Sequence, residues 1–114
     1  MTDLQTPSDL TTLGKTACET IVAFLKKKKL TNTGGGKAFY SPKEWKERGE
    51  DYGTESELVV VHDGGDHARA FSWDYEDYTT IEALNVELAK IGLFAEQCTT
   101  WYSAIYKNRN TITP

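Results

Sequence analysis

Residues 57–74 read ELVVVHDGGDHARAFSWD, and the way this stretch divides decides the fold. Leu58 to Val61 is apolar and mostly β-branched, which suits a strand, and Ala68 to Trp73 resumes apolar and aromatic character after a polar interruption. At the centre of the interruption stand Gly64 and Gly65 between Asp63 and Asp66, the composition of a two-residue primed turn. The spacing predicts a β-hairpin of 57–63 against 67–74. Its register sets Asp63 opposite Asp66, His62 opposite His67, Val61 opposite Ala68 and Leu58 opposite Phe71.

Helical periodicity flanks this stretch. Leu10, Leu13, Ala17, Ile21 and Phe24 recur at helical steps, predicting a helix over 9–30 with Ser8 as its cap. TNTGGGK, residues 31–37, reads as a Gly-rich loop; its GGGKA lacks the spacing and the hydroxyl residue of a phosphate-binding loop. A short strand is expected around 38–40. Ser41, Pro42 and Glu44 form a capping-box start for a short helix over 42–48, stopped by Gly49. Thr79, Thr80 and Glu82 open another helix with Ile81, Leu84, Leu88 and Ile91 as its seam, ended by Gly92. FAEQCTTWYSAIYK, residues 94–107, reads as one long strand with a bulge near Thr99 and Thr100, possible as a parallel neighbour of the hairpin.

These elements predict an α+β fold: a three- or four-stranded, mostly antiparallel sheet with a central hairpin, and two main helices on one face plus a short helix. The 114 residues, 39% hydrophobic and 11% aromatic, suit one domain over 1–114, with 1–8 and 108–114 expected to fray. No apolar run approaches a membrane span and the first residues lack a secretory pattern, so a soluble cytoplasmic protein is expected. Two cysteines, Cys18 and Cys98, are too few for a disulfide framework.

The net charge of −4 conceals an asymmetry. Residues 1–48 carry nine basic and five acidic side chains, whereas 49–114 carry four and twelve. Between Glu50 and Glu87, eleven carboxylates face Arg69 alone, which weighs against a nucleic-acid partner. Lys26 to Lys29 form the basic exception, placed where cations complement a helix C-terminus.

Two groups of residues carry chemistry in this pattern. In HDGGDH, the predicted pairing brings His62 and His67 within reach of one transition metal, with Asp63 and Asp66 on the opposite face. A third ligand would come from Glu96, Asp74 or Cys98. A histidine there also suits general base chemistry, and Cys98 with a histidine suits a nucleophilic dyad. The plainer alternative is that Asp beside Gly is ordinary turn chemistry. The second group is SWDYEDYTT, residues 72–80, in which Trp73, Tyr75 and Tyr78 alternate with Asp74, Glu76 and Asp77. Aromatics with polar tips among carboxylates suit a docking surface for a basic protein; otherwise Trp73 and Tyr78 belong to the core and the acids to a helix start.

The blocks SPKEWKERGEDYG, LVVVHDGGDHARAFSWDYEDY and FAEQCTTWYSAIY, spanning Ser41 to Tyr106, resemble small uncharacterised proteins of bacterial and phage genomes. The resemblance covers about two thirds of the chain, leaves out the first helix, and implies a compact domain without bringing any activity or site residue. The expectation is therefore a binding or accessory module acting through a protein partner or self-association at Trp73–Tyr78. The alternative is a metal- or ligand-binding protein, or an enzyme, centred on HDGGDH, with a divalent transition metal as its candidate cofactor.

Overall fold

The computed structural model describes residues 4–108. Strand β2 (Leu58–Val61) lies inside the sheet. It pairs with β1 (Phe39–Tyr40) on one side and with β4 (Tyr102–Lys107) on the other, and β4 pairs with β3 (Leu93–Gln97). All three pairings are antiparallel, giving the order β1-β2-β4-β3. Three α-helices accompany the sheet: α1 (Thr12–Lys28), α2 (Pro42–Glu47) and α3 (Tyr78–Ala89). Two 3-10 turns, Asp66–Ala70 and Trp73–Tyr75, fill the connection between β2 and α3. The fold is α+β with a four-stranded antiparallel sheet.

Strand alternation sorts the core into two layers. Leu58, Val60, Leu93 and Ile105 point to the face covered by α1 and α3, where they meet Ile21, Phe24, Leu25, Leu84 and Leu88. Fully burying each such side chain contributes about 1.5–3 kcal/mol. Val59 and Tyr102 point to the other face, under Trp45 of α2. There the Trp45 ring lies 4.9 Å from Tyr102 and 5.7 Å from Trp101, centroid to centroid. The short α2 can hold this position because its start is fixed locally. Glu44 N–H donates to Ser41 Oγ at 3.1 Å and Ser41 N–H donates to Glu44 Oε1 at 3.0 Å, the reciprocal bonds of a capping box.

The hairpin expected at 57–74 does not form, because both edges of β2 are already occupied. Val61 N–H donates to the Ala38 carbonyl on the β1 side at 2.7 Å, and His62 N–H donates to Trp101 O on the β4 side at 2.9 Å. After Gly65 the chain coils instead into the turn Asp66–Ala70, and His67 Nε2 donates to the Val61 carbonyl at 2.7 Å. The hairpin of this fold is β3–β4. The segment 94–107, expected as one bulged strand, breaks at Thr99: Thr99 Oγ1 accepts from Trp101 N–H at 3.2 Å and from Tyr102 N–H at 3.3 Å. The return strand, for which a parallel pairing was one option, is antiparallel to both of its neighbours, β2 and β3.

Helix starts also shift. Thr11, not Ser8, caps α1 by accepting from Gly14 N–H at 2.9 Å. Asp77, not Thr79, caps α3. Of the ends expected to fray, residues 1–3 and 109–114 lie outside the described residues; Leu4 packs on the core and Pro7 is buried. The 31–37 loop is pinned to the Gly64 turn. Asp66 N–H donates to the Asn32 carbonyl at 2.7 Å, and Gly34, at φ +75°, comes so close that a Cβ would stand 2.5 Å from Gly64 O.

Candidate functional site

His62 follows Val60 on the α1/α3 face of the sheet, so alternation carries its ring inward at the end of the core. His62 and His67 are each 1% exposed, while Asp63 and Asp66 are exposed. His62 Nε2 shares a hydrogen bond of 3.0 Å with Ser103 Oγ, and its ring stacks on Phe71 at 5.7 Å with 5° between planes. The two imidazoles stand edge to face, 6.5 Å between centroids. The palindrome therefore does bring the histidines near each other, through a coiled turn and not through a strand pair.

Burial, with the neighbouring His67 charge second, pushes the His62 pKa down to about 4. Burial also lowers that of His67, opposed by the Val61 and Asn32 carbonyls and by Asp66. Both rings are neutral at neutral pH, and the Nδ1 atom of each is buried without a hydrogen-bond partner.

Those two orphaned nitrogens are the test of a metal at this place. Among the described residues no three His, Cys, Asp or Glu side chains gather to hold an ion. The proposed third ligands lie elsewhere. Cys98 pairs across the hairpin with Tyr102 and packs beside Val59 and Trp45, on the opposite face of the sheet from His62. Glu96 points to that opposite face as well, and Asp74 is exposed in the second 3-10 turn. Two donors fall short of the three or four a zinc site uses, so the donor set does not fit. The same separation removes the Cys–His dyad, and burial, then Glu96, raises the Cys98 thiol to about 11, leaving it protonated. The His62–Ser103 contact has the spacing of a base and a nucleophile, but with Ser103 fully buried no substrate reaches it.

The acidic–aromatic segment is placed otherwise. Trp73, Tyr75 and Tyr78 are 49%, 48% and 49% exposed, and Asp74 and Glu76 are exposed beside them. Trp73 and Tyr78 are therefore not core residues; their rings touch at 5.6 Å between centroids. The segment is held from behind. Ser72 Oγ accepts from Asp74 N–H at 3.3 Å, and Trp73 N–H donates to Gln97 Oε1 at 3.0 Å. Asp77 Oδ2 accepts from the Thr80 hydroxyl at 2.9 Å and pairs with Arg69 at 3.3 Å. The Thr80 hydroxyl is the main reason its carboxyl titrates below the usual range.

Two concavities escaped the sequence reading. A cleft of about 450 Å³ opens between the 51–55 loop and β3, lined by Asp51, Tyr52, Glu55, Glu96, Cys98 and Tyr106. A groove of about 400 Å³ runs between α1 and α3. Neither involves a histidine. Their walls come from segments far apart in the chain, a juxtaposition no local spacing announces; the lysine run beside the second was the one available signal. No helix of the described residues is long and apolar enough to cross a membrane. Comparison with known proteins finds no matching family model, no matching curated protein and no matching solved structure.

Proposed function

We propose that the chain is a small binding or accessory module that acts through a protein partner, contacted by the surface Trp73–Tyr78. One observation carries this reading: three neighbouring aromatic side chains stand about half exposed on a segment whose backbone is tied to Gln97 and Ser72. Aromatic residues on a fixed backbone lose little entropy on binding, which is why they anchor interfaces. The flanking Asp74 and Glu76 select a basic partner and speed encounter with it, and they repel a phosphate backbone. Free Cys18 and Cys98 support a reducing, cytoplasmic setting.

The test is capture of protein on the immobilised chain across a salt series, repeated with Trp73→Ala/Tyr75→Ala. Binding is expected to weaken as salt rises and to fall about tenfold or more with the double substitution. Capture indifferent to salt and to both substitutions would overturn the proposal.

A further inference from the structure

Two rings from the segment that follows β2 cover His62. Phe71 stacks on it at 5.7 Å and His67 stands edge to face with it at 6.5 Å. Both rings belong to the connection 66–72, which joins no strand and coils as a 3-10 turn. Its polar ties to the rest of the fold are few. Asp66 N–H donates to the Asn32 carbonyl at 2.7 Å, His67 Nε2 donates to the Val61 carbonyl at 2.7 Å, Arg69 pairs with Asp77 at 3.3 Å, and Ser72 Oγ accepts from Gln97 Nε2 at 3.3 Å. A movement that lifts this segment therefore hydrates both imidazoles at once, because it carries His67 and Phe71 away from His62.

Charged neighbours do little to keep a proton on the closed pair. Among the described residues, Asp66 favours the charged form of His67, whereas His67 opposes that of His62. Asp63 on the turn is exposed, and Asp77 of α3, which packs on the 3-10 turn, is already held by Arg69. The 31–37 loop offers the Asn32 carbonyl and β4 offers the Ser103 hydroxyl, both neutral. His62 Nδ1 is buried without a partner, so the N–H that protonation places there finds an acceptor only when water enters.

We propose that acid releases the Trp73–Tyr78 surface by lifting 66–72 off the end of β2, with the His62–His67 pair taking up protons as water reaches it, while the sheet stays paired. The proposal rests on the reading of that surface as the partner contact and names its control. Trp73 follows directly on the lifted segment, and Ser72, one of the supports behind the surface, lies inside it. Once open, His62 titrates near its ordinary 6.5, whereas burial holds it at about 4 in the closed form. The preference of this group for the closed form is therefore whole above pH 6.5 and is lost as pH falls towards 4, opening growing about tenfold per pH unit for each proton gained.

Amide exchange of the full-length chain, followed from pH 7 to pH 4.5 and corrected for the intrinsic rate, tests this. Protection across 66–72 is expected to fall about tenfold per pH unit below neutrality with little dependence on urea, while β2 and β4 exchange more slowly and only through global unfolding. His62→Phe/His67→Gln, in which neither position titrates, is expected to show no such fall. Nitrogen shifts of the two imidazoles in the native chain are expected to report proton uptake at the midpoint of opening, a readout that stands even where the variant does not fold. Protein capture on the immobilised chain is expected to be lost at pH 5 by the native chain and kept by the variant. Exchange at 66–72 that merges with that of β2 and β4, proton uptake without opening, a variant that opens as the native chain does, or capture that survives opening each overturns the proposal. A connection that stays closed at pH 5, with capture at pH 7 that needs Trp73, overturns the acid release and leaves the surface standing. Capture at pH 7 that ignores Trp73 removes the surface, and its control with it.

Discussion

The His62 imidazole lies parallel to the Phe71 ring, 5.7 Å from it and 5° out of plane, with Nε2 on the Ser103 hydroxyl at 3.0 Å. Burial, with the neighbouring His67 second, disfavours the charged ring here. The native pKa is about 4 against an ordinary 6.5, so below pH 6.5 the unfolded chain binds a proton that the folded chain refuses. The contribution of this group is therefore fully present above pH 6.5 and is lost progressively as pH falls towards 4, by about 3 kcal/mol. Urea midpoints measured from neutral to acidic pH check this. His62→Phe should flatten the profile; an equally steep profile in that variant would place the acid sensitivity elsewhere.

Gly65 packs against Nδ1 and Cε1 of the His67 ring, and a Cβ at this position would overlap both atoms. Gly65→Ala is expected to cost about 1–3 kcal/mol, since the ring is anchored by its bond to the Val61 carbonyl and has no room to retreat. His67→Ala costs stability by itself through the cavity it leaves. In the double variant the two losses should sum to less than their parts, because the overlap no longer exists. Strict additivity in denaturant melts would contradict the packing described.

Zinc, nickel or manganese should leave the melting temperature unchanged, and His62→Ala should not alter that indifference. Two imidazoles with buried, orphaned Nδ1 atoms and no third ligand give a metal little to bind. Ligands that bind the folded state stabilise it by mass action, so an upward shift on adding metal, abolished by His62→Ala, would reveal a site that the side-chain positions do not explain.

Local chemistry was legible in the sequence and competition between segments was not. Ser41, Pro42 and Glu44 announce α2 because a capping box is made by residues three apart. The seam Ile81, Leu84 and Leu88 announces α3 for the same reason. Gly64 and Gly65 announce a turn as well, yet not the destination of the chain beyond it. The second edge of β2 goes to Tyr102–Lys107, more than forty residues away, and once β4 is there the 67–74 segment has no edge to join. Thr99 and Thr100 read as a bulge where the chain in fact turns, because a bulge and a tight turn draw on the same residues. The exposed face of Trp73, Tyr75 and Tyr78 follows from this same displacement: a coil crossing the sheet end leaves side chains outside that a strand would have shared between two faces.

Gln97 links that surface to the sheet. It sits opposite Ser103 in the hairpin, accepts from Trp73 N–H at 3.0 Å through Oε1 and donates through Nε2 to Ser72 Oγ at 3.3 Å. Gln97→Ala removes both ties without touching any aromatic ring, so the segment keeps its chemistry and loses its fixed backbone. Amide exchange at Trp73 should then accelerate, while exchange in β2 and β4 stays protected. Affinity for whichever protein occupies the surface should fall about fivefold, the worth of roughly one hydrogen bond, with the change in the dissociation rate. Unchanged exchange at Trp73 would mean that the turn Trp73–Tyr75 holds itself. Faster exchange with unchanged affinity would mean that the partner, not Gln97, orders the segment on binding.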